Sequence, residues 1–99
     1  MNSVKLLGLL LILLNIHAVI VINDSSVNIK ICSFEGDKCF AYLHVGETWE
    51  KKDIDKLSIY YKPKGQPIDC QYFRSEKFEN LTDDTIINFN CKKSTVTKN

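Results

Sequence analysis

Four cysteines, Cys32, Cys39, Cys70 and Cys91, constrain this chain more than any other feature of it. They follow an amino-terminal segment whose layout addresses a chain to an oxidising compartment. Lys5 supplies the positive charge, Leu6 to Leu14 the apolar run, and Asn15-Ile16-His17-Ala18 a polar stretch ending in a small residue. Residues 1–18 are therefore expected to be a secretory signal peptide, cut after Ala18. Apolar residues resume at Val19 to Ile22, but Asn15 and His17 interrupt a stretch shorter than the ~20 residues of a spanning helix. No transmembrane span is expected after cleavage. An even cysteine count in such a chain implies two disulfides. Zinc would need close Cys pairs or a Cys/His mixture, whereas His44 is the one histidine beyond the cut. Three pairings remain open on this count alone.

Length allows one small domain, because the chain has 99 residues. Lys5 is one of the 13 basic residues and none of the 12 acidic ones precedes Val19, so the remainder is formally neutral. A general nucleic-acid binder is not expected from that balance. Asn80-Leu81-Thr82 and Asn23-Asp24-Ser25 both fit the N-glycosylation pattern. Asn80 is the better candidate, since it lies between two apolar runs where a surface turn is expected and Thr is the stronger acceptor partner.

Apolar residues alternate rather than recur at helical spacing. Val27, Ile29 and Ile31 alternate with Asn28, Lys30 and Cys32, which predicts a half-buried strand. Glu35-Gly36-Asp37-Lys38 reads as a turn, and Cys39 to Val45 as the returning strand of a hairpin. Residues flanking such a turn are neighbours across the ladder, which makes a Cys32–Cys39 bond geometrically reasonable. Trp49 to Lys56 reads as a charged connection with room for one helical turn. Leu57 to Tyr61, Ile68 to Phe73 and Thr85 to Cys91 supply further strands. Residues 92–99 read as a polar, flexible tail after a single domain over 19–91. The expected class is all-β, a small disulfide-stapled sandwich or barrel of about five to seven short strands.

Ile31 to Phe40, followed by Val45-Gly46, Asp55-Lys56-Leu57-Ser58-Ile59 and a Pro/Gly linker, resembles a Greek key motif of the βγ-crystallin family. That family repeats an aromatic, four residues, an aromatic, one residue and a glycine. Phe73-x4-Phe78-Glu79-Asn80 is similar to this pattern, with Asn, the next most tolerant residue of a left-handed backbone, in the glycine place. In the first copy Phe34 and Phe40 stand one residue too far apart and Tyr42 occupies the glycine place. The resemblance covers Val27 to Cys91 and implies a Greek-key arrangement, a Cys70–Cys91 bond between neighbouring strands, and Trp49 and Phe78 in or near the core. It also points to a calcium loop, of which only Asp55 and Ser58 are retained, with Asp83 and Asp84 as carboxylates for a second one. Ile54, Ile59 and Lys56 supply no oxygen to the first loop, so no cofactor beyond weak calcium binding is expected.

Catalysis finds no constellation. His44 lies in a predicted strand with no nucleophile beside it, and Glu47 and Glu50 have no recognisable cleft. A contact surface is better supplied. The adjacent pairs Tyr60-Tyr61 and Tyr72-Phe73 place one ring on each face of their strands, and with Trp49 they form the expected binding surface. The sequence thus reads as a secreted, non-enzymatic protein that binds an extracellular protein or glycan. The alternative is a small secreted defence protein, an antimicrobial toxin or a protease inhibitor.

Overall fold

β-Branched and aromatic residues at alternate positions set the strands, each presenting one row of side chains inward. The computed structural model describes residues 17–61, 70 and 75–98. Over these it contains eight strands: β1 (Val19–Asn23), β2 (Ile29–Cys32), β3 (Cys39–Leu43), β4 (Thr48–Lys51), β5 (Leu57–Tyr61), β6 (Ser75–Phe78), β7 (Thr85–Phe89) and β8 (Thr95–Lys98). They form two four-stranded sheets, one in the order β4-β1-β7-β8 and the other β3-β2-β5-β6. Among the described residues no helix is long and apolar enough to cross a membrane.

The inward rows of the two sheets make one core. Val19, Val21, Ile87 and Phe89 from the first sheet meet Ile29, Ile31, Leu57, Ile59 and Phe78 from the second. Register enforces this, since Ile31 lies opposite Ile59, and Val21 opposite Ile87. A one-residue slip of β2 would turn Ile29 and Ile31 outward and Lys30 inward. The hairpin β2–β3 is followed by β4 in the opposite sheet, and β5 then returns to lie antiparallel beside β2. This small all-β sandwich carries two disulfides, Cys32–Cys39 and Cys70–Cys91. The loop-closure model assigns about 2.5 kcal/mol to the shorter and about 3.5 kcal/mol to the longer.

Several segments differ from their sequence reading. Thr48–Lys51 is a strand rather than a charged connection, paired along β1 with Trp49 opposite Val21. A single apolar anchor suffices there because an edge strand buries only one side of itself. Val19–Asn23, which reads as apolar residue trailing a leader, is a central strand between β4 and β7. Its pairing with β7 is parallel, unlike every other strand pair described. Thr95–Lys98 is not a free tail: it pairs antiparallel with β7 while all four of its residues stay exposed.

Asn23, expected as a second glycosylation acceptor, is instead fully buried. Its Nδ2 shares its two hydrogens among the carbonyls of Val27 at 2.9 Å, Leu43 at 3.3 Å and His44 at 3.1 Å. Its Oδ1 accepts from the backbone N–H of Ser25 at 3.2 Å and from Ser25 Oγ at 2.6 Å. A glycan on that nitrogen is incompatible with the fold, because a bulky polar chain cannot occupy a core position that already satisfies three carbonyls. Asn23→Ala removes these bonds, although Ser25 Oγ still reaches the Val27 carbonyl and the Glu47 N–H the His44 carbonyl, and we expect it to lower the unfolding free energy by about 1–3 kcal/mol in a denaturant titration. A midpoint equal to that of the parent chain would remove this network from the account of stability.

Candidate binding surface

The outer face of the sheet β3-β2-β5-β6 is built from the residues that alternation turns away from the core. Lys30 of β2 lies opposite Tyr42 on one side and Tyr60 on the other, and Tyr60 lies opposite Ser75. These four residues form one row across the sheet. Along β3 the outward positions are Phe40 and Tyr42, which are 36% and 44% exposed, well above the usual fate of such large rings. Tyr42 continues into His44, whose ring meets it edge-on with centroids 5.4 Å apart.

Trp49 closes the edge where β3 and β4 meet. Its ring packs against the core cluster and is stacked with Phe40, centroids 6.1 Å apart and planes within 10°. Lys51 Nζ stands 5.9 Å from the Phe40 ring centre. Farther along the same face, Phe34 lies under two ammonium groups, Lys56 at 5.3 Å and Lys77 at 4.9 Å. Such contacts orient lysines over aromatic faces without neutralising them.

The β3–β4 turn is held by its own polar groups. Glu47 Oε1 accepts from the His44 backbone N–H at 2.7 Å and lies 3.1 Å from His44 Nδ1. Asn28 Oδ1 accepts from the Val45 N–H, and Gly46 takes φ +85°, a conformation that most residues avoid. At the β2–β3 turn Gly36 has φ +86°, and a Cβ placed there would come within 2.1 Å of Tyr60 Oη. That absent side chain is the space into which the half-buried Tyr60 ring extends.

Of the residues expected on a contact surface, Trp49 and Tyr60 lie on or beside this face, whereas Tyr61 points inward and is 7% exposed. The pair Tyr72 and Phe73 lies outside the described residues. Phe40 and Tyr42 carry the exposed aromatic area, although neither was singled out from sequence. Their signal was the alternation of β3 itself, in which Ala41 and Leu43 already claim the inward positions.

The calcium candidates are not brought together. Ser58 is fully buried and its Oγ donates to the Ser33 carbonyl at 2.6 Å. Asp83 accepts from the Asp53 N–H, and Asp84 accepts from Thr82 Oγ1. Asp55 engages Leu81 only through its carbonyl. Among the described residues no group of three His, Cys, Asp or Glu side chains is placed to hold a metal ion. A shallow depression is lined by His17, Lys52, Thr82, Asp83 and Asp84, with the Thr82 hydroxyl turned onto Asp84.

The hydrogen bond from the His44 N–H, helped by the His44 ring, holds the Glu47 carboxyl below its ordinary range. A carboxylate depressed in the folded state stabilises above its unfolded pKa, and that contribution fades as pH falls through the folded value. Glu47→Gln is therefore expected to melt below the parent at neutral pH, the two melting curves converging at the acid end of the range. A gap that persists unchanged into acid would assign the effect to packing rather than to the charge. No protein-family model, no curated protein and no solved structure matches this chain.

Proposed function

We propose that this chain is a secreted, non-enzymatic binding protein that acts outside the cell through the aromatic face of its second sheet, on a protein or glycan partner. One observation carries the reading: Phe40 and Tyr42 stand exposed side by side on β3, braced by Trp49 and next to Lys30. Exposed rings on a rigid strand contribute contact area at little cost in conformational entropy, which suits them to recognition.

Secretion is supported by the two disulfides, a bond type that persists in oxidising compartments. It is supported also by β1, which begins at Val19, the residue after the expected cut. The βγ-crystallin resemblance draws support from two local features. Asn80 takes φ 59°, as a residue in a glycine place should, and β2 to β5 trace a path in which the fourth strand returns beside the first. The buried Phe78 and the core-packed Trp49 agree with the same pattern.

A defence role is the competing proposal, and the neutral balance of the chain beyond Ala18 weakens its membrane-active form. The two are separated by expressing the chain through a secretory pathway and measuring saturable binding to host cells or matrix alongside microbial growth. The proposal expects binding without growth inhibition, and Phe40→Ala with Tyr42→Ala should abolish that binding while the chain still melts in one cooperative transition, at a lower temperature because the Phe40–Trp49 stack is lost. Growth inhibition that survives the double substitution would overturn it. Secreted material is further expected to carry one glycan, on Asn80, which is exposed at the turn after β6. Treatment with an amidase that removes N-glycans should shift the parent chain, and Asn80→Gln should show no such shift.

A further inference from the structure

The charge on the binding face departs from that of the chain as a whole. Lys30, Lys51 and Lys77 are all exposed, and among the described residues none has a carboxylate within ion-pair distance. Lys30 projects from between Tyr42 and Tyr60, Lys51 stands beside Phe40, and Lys77 leaves β6 on the same outer face, two positions from Ser75. Strands about 4.8 Å apart and residues about 3.4 Å apart along them make Lys30 and Lys77 roughly 12 Å distant. Two carboxylates border the face, Glu35 at 3.9 Å from Lys56 beside Phe34 and Glu47 beside His44, and others lie farther off. Asp53 and Asp55 follow β4, and Asp83 and Asp84 precede β7, with Asp83 bonded to the Asp53 backbone. The three lysines of the face thus keep unpaired charge even though acidic groups border it.

Resting on the reading of this face as a contact surface, we infer that its partner is an anionic polysaccharide. Three features point to that chemistry. Unpaired ammonium groups spaced along a face attract a chain that repeats its negative charge, and a lysine is a point charge with no demand for bidentate geometry. The exposed rings beside them offer flat apolar area to the C–H faces of a sugar. The face is a sheet surface with strand spacing, which suits an extended polymer lying across it. An acidic protein is the other occupant of matching charge, and it is separated by the test below.

The test uses the full chain secreted with both disulfides formed, and dextran sulfate as the probe, with unsulfated dextran and polyglutamate as comparators. The inference expects binding to dextran sulfate that weakens with added salt, and none to dextran at the same concentration. Lys30→Gln with Lys77→Gln should weaken that binding by about tenfold, each exposed charge contact being worth up to about fivefold. Tyr42→Ala should weaken it further, whereas Lys92→Gln with Lys93→Gln should leave it within about twofold. Loss through Lys92 and Lys93 instead, or polyglutamate bound as tightly as dextran sulfate with Tyr42→Ala without effect, would overturn the inference. Absence of dextran sulfate binding would overturn it too. If cell or matrix binding still depends on Phe40 and Tyr42 in that case, the contact surface stands and its partner is a protein.

Discussion

The amide of Asn23 is the point on which the two sheets depend. It ends β1 in the first sheet and donates to carbonyls of Val27, just before β2, and of Leu43 and His44, at the end of β3, in the second. Its side chain therefore joins the layers by directional bonds where apolar contact alone would let them slide. Ser25 completes the arrangement, its single hydroxyl proton shared between Asn23 Oδ1 at 2.6 Å and the Val27 carbonyl at 3.0 Å. A network of this kind strengthens when buried and fully satisfied, and no buried side-chain nitrogen or oxygen among the described residues lacks a partner. The backbone agrees with the side chain, as the Asn23 N–H donates to the Glu47 carbonyl and its own carbonyl accepts from Gly46. By fixing the β3–β4 turn against β1, the same residue positions the strand that carries Phe40 and Tyr42.

The two open edges of the sandwich are closed by different chemistry. Where β3 meets β4, the stacked Phe40 and Trp49 rings bridge the layers and leave ring area exposed. At the opposite edge, where β6 meets the approach to β8, the closure is polar and covalent. Ser94 Oγ donates to Glu76 Oε1 at 2.9 Å, Lys98 Nζ donates to the Asn80 carbonyl at 2.6 Å, and Cys91 is bonded to Cys70. A small domain buries a modest fraction of its surface, so edge contacts carry a larger share of its cohesion than in a large one. The aromatic closure is the one with surface to spare for a partner.

The elements legible in the sequence were those whose alternation includes buried β-branched or long apolar residues. β2, β3, β5 and β7 show it directly, and the hairpin between Cys32 and Cys39 follows from their spacing. β4 and β8 were opaque because an edge strand with a single apolar residue, the half-buried Trp49 or the exposed Val96, has no period to detect. β1 was hidden by its continuity with an apolar leader. Asn23 was misread for a more basic reason: a three-residue acceptor pattern records residue types, whereas burial of the amide depends on where Leu43 and His44 return, 20 and 21 residues later. The Phe40–Trp49 stack was invisible for the same reason, since its two rings belong to strands of different sheets.

Charge makes the same point about composition. A neutral count argues against any strongly charged partner only if the charges are mixed, because the field near a surface is set by groups within about a Debye length, ~8 Å at physiological salt. Here Lys30 and Lys51 stand among rings on β2 and β4, while Asp83 and Asp84 sit in the turn before β7 and bond to Asp53 and Thr82. The fold sets unpaired lysines among exposed rings, and it does so through sheet register: a shift of one residue in β2 would bury Lys30 and expose Ile31. The register that fills the core is thus the same constraint that sets the cations among the rings.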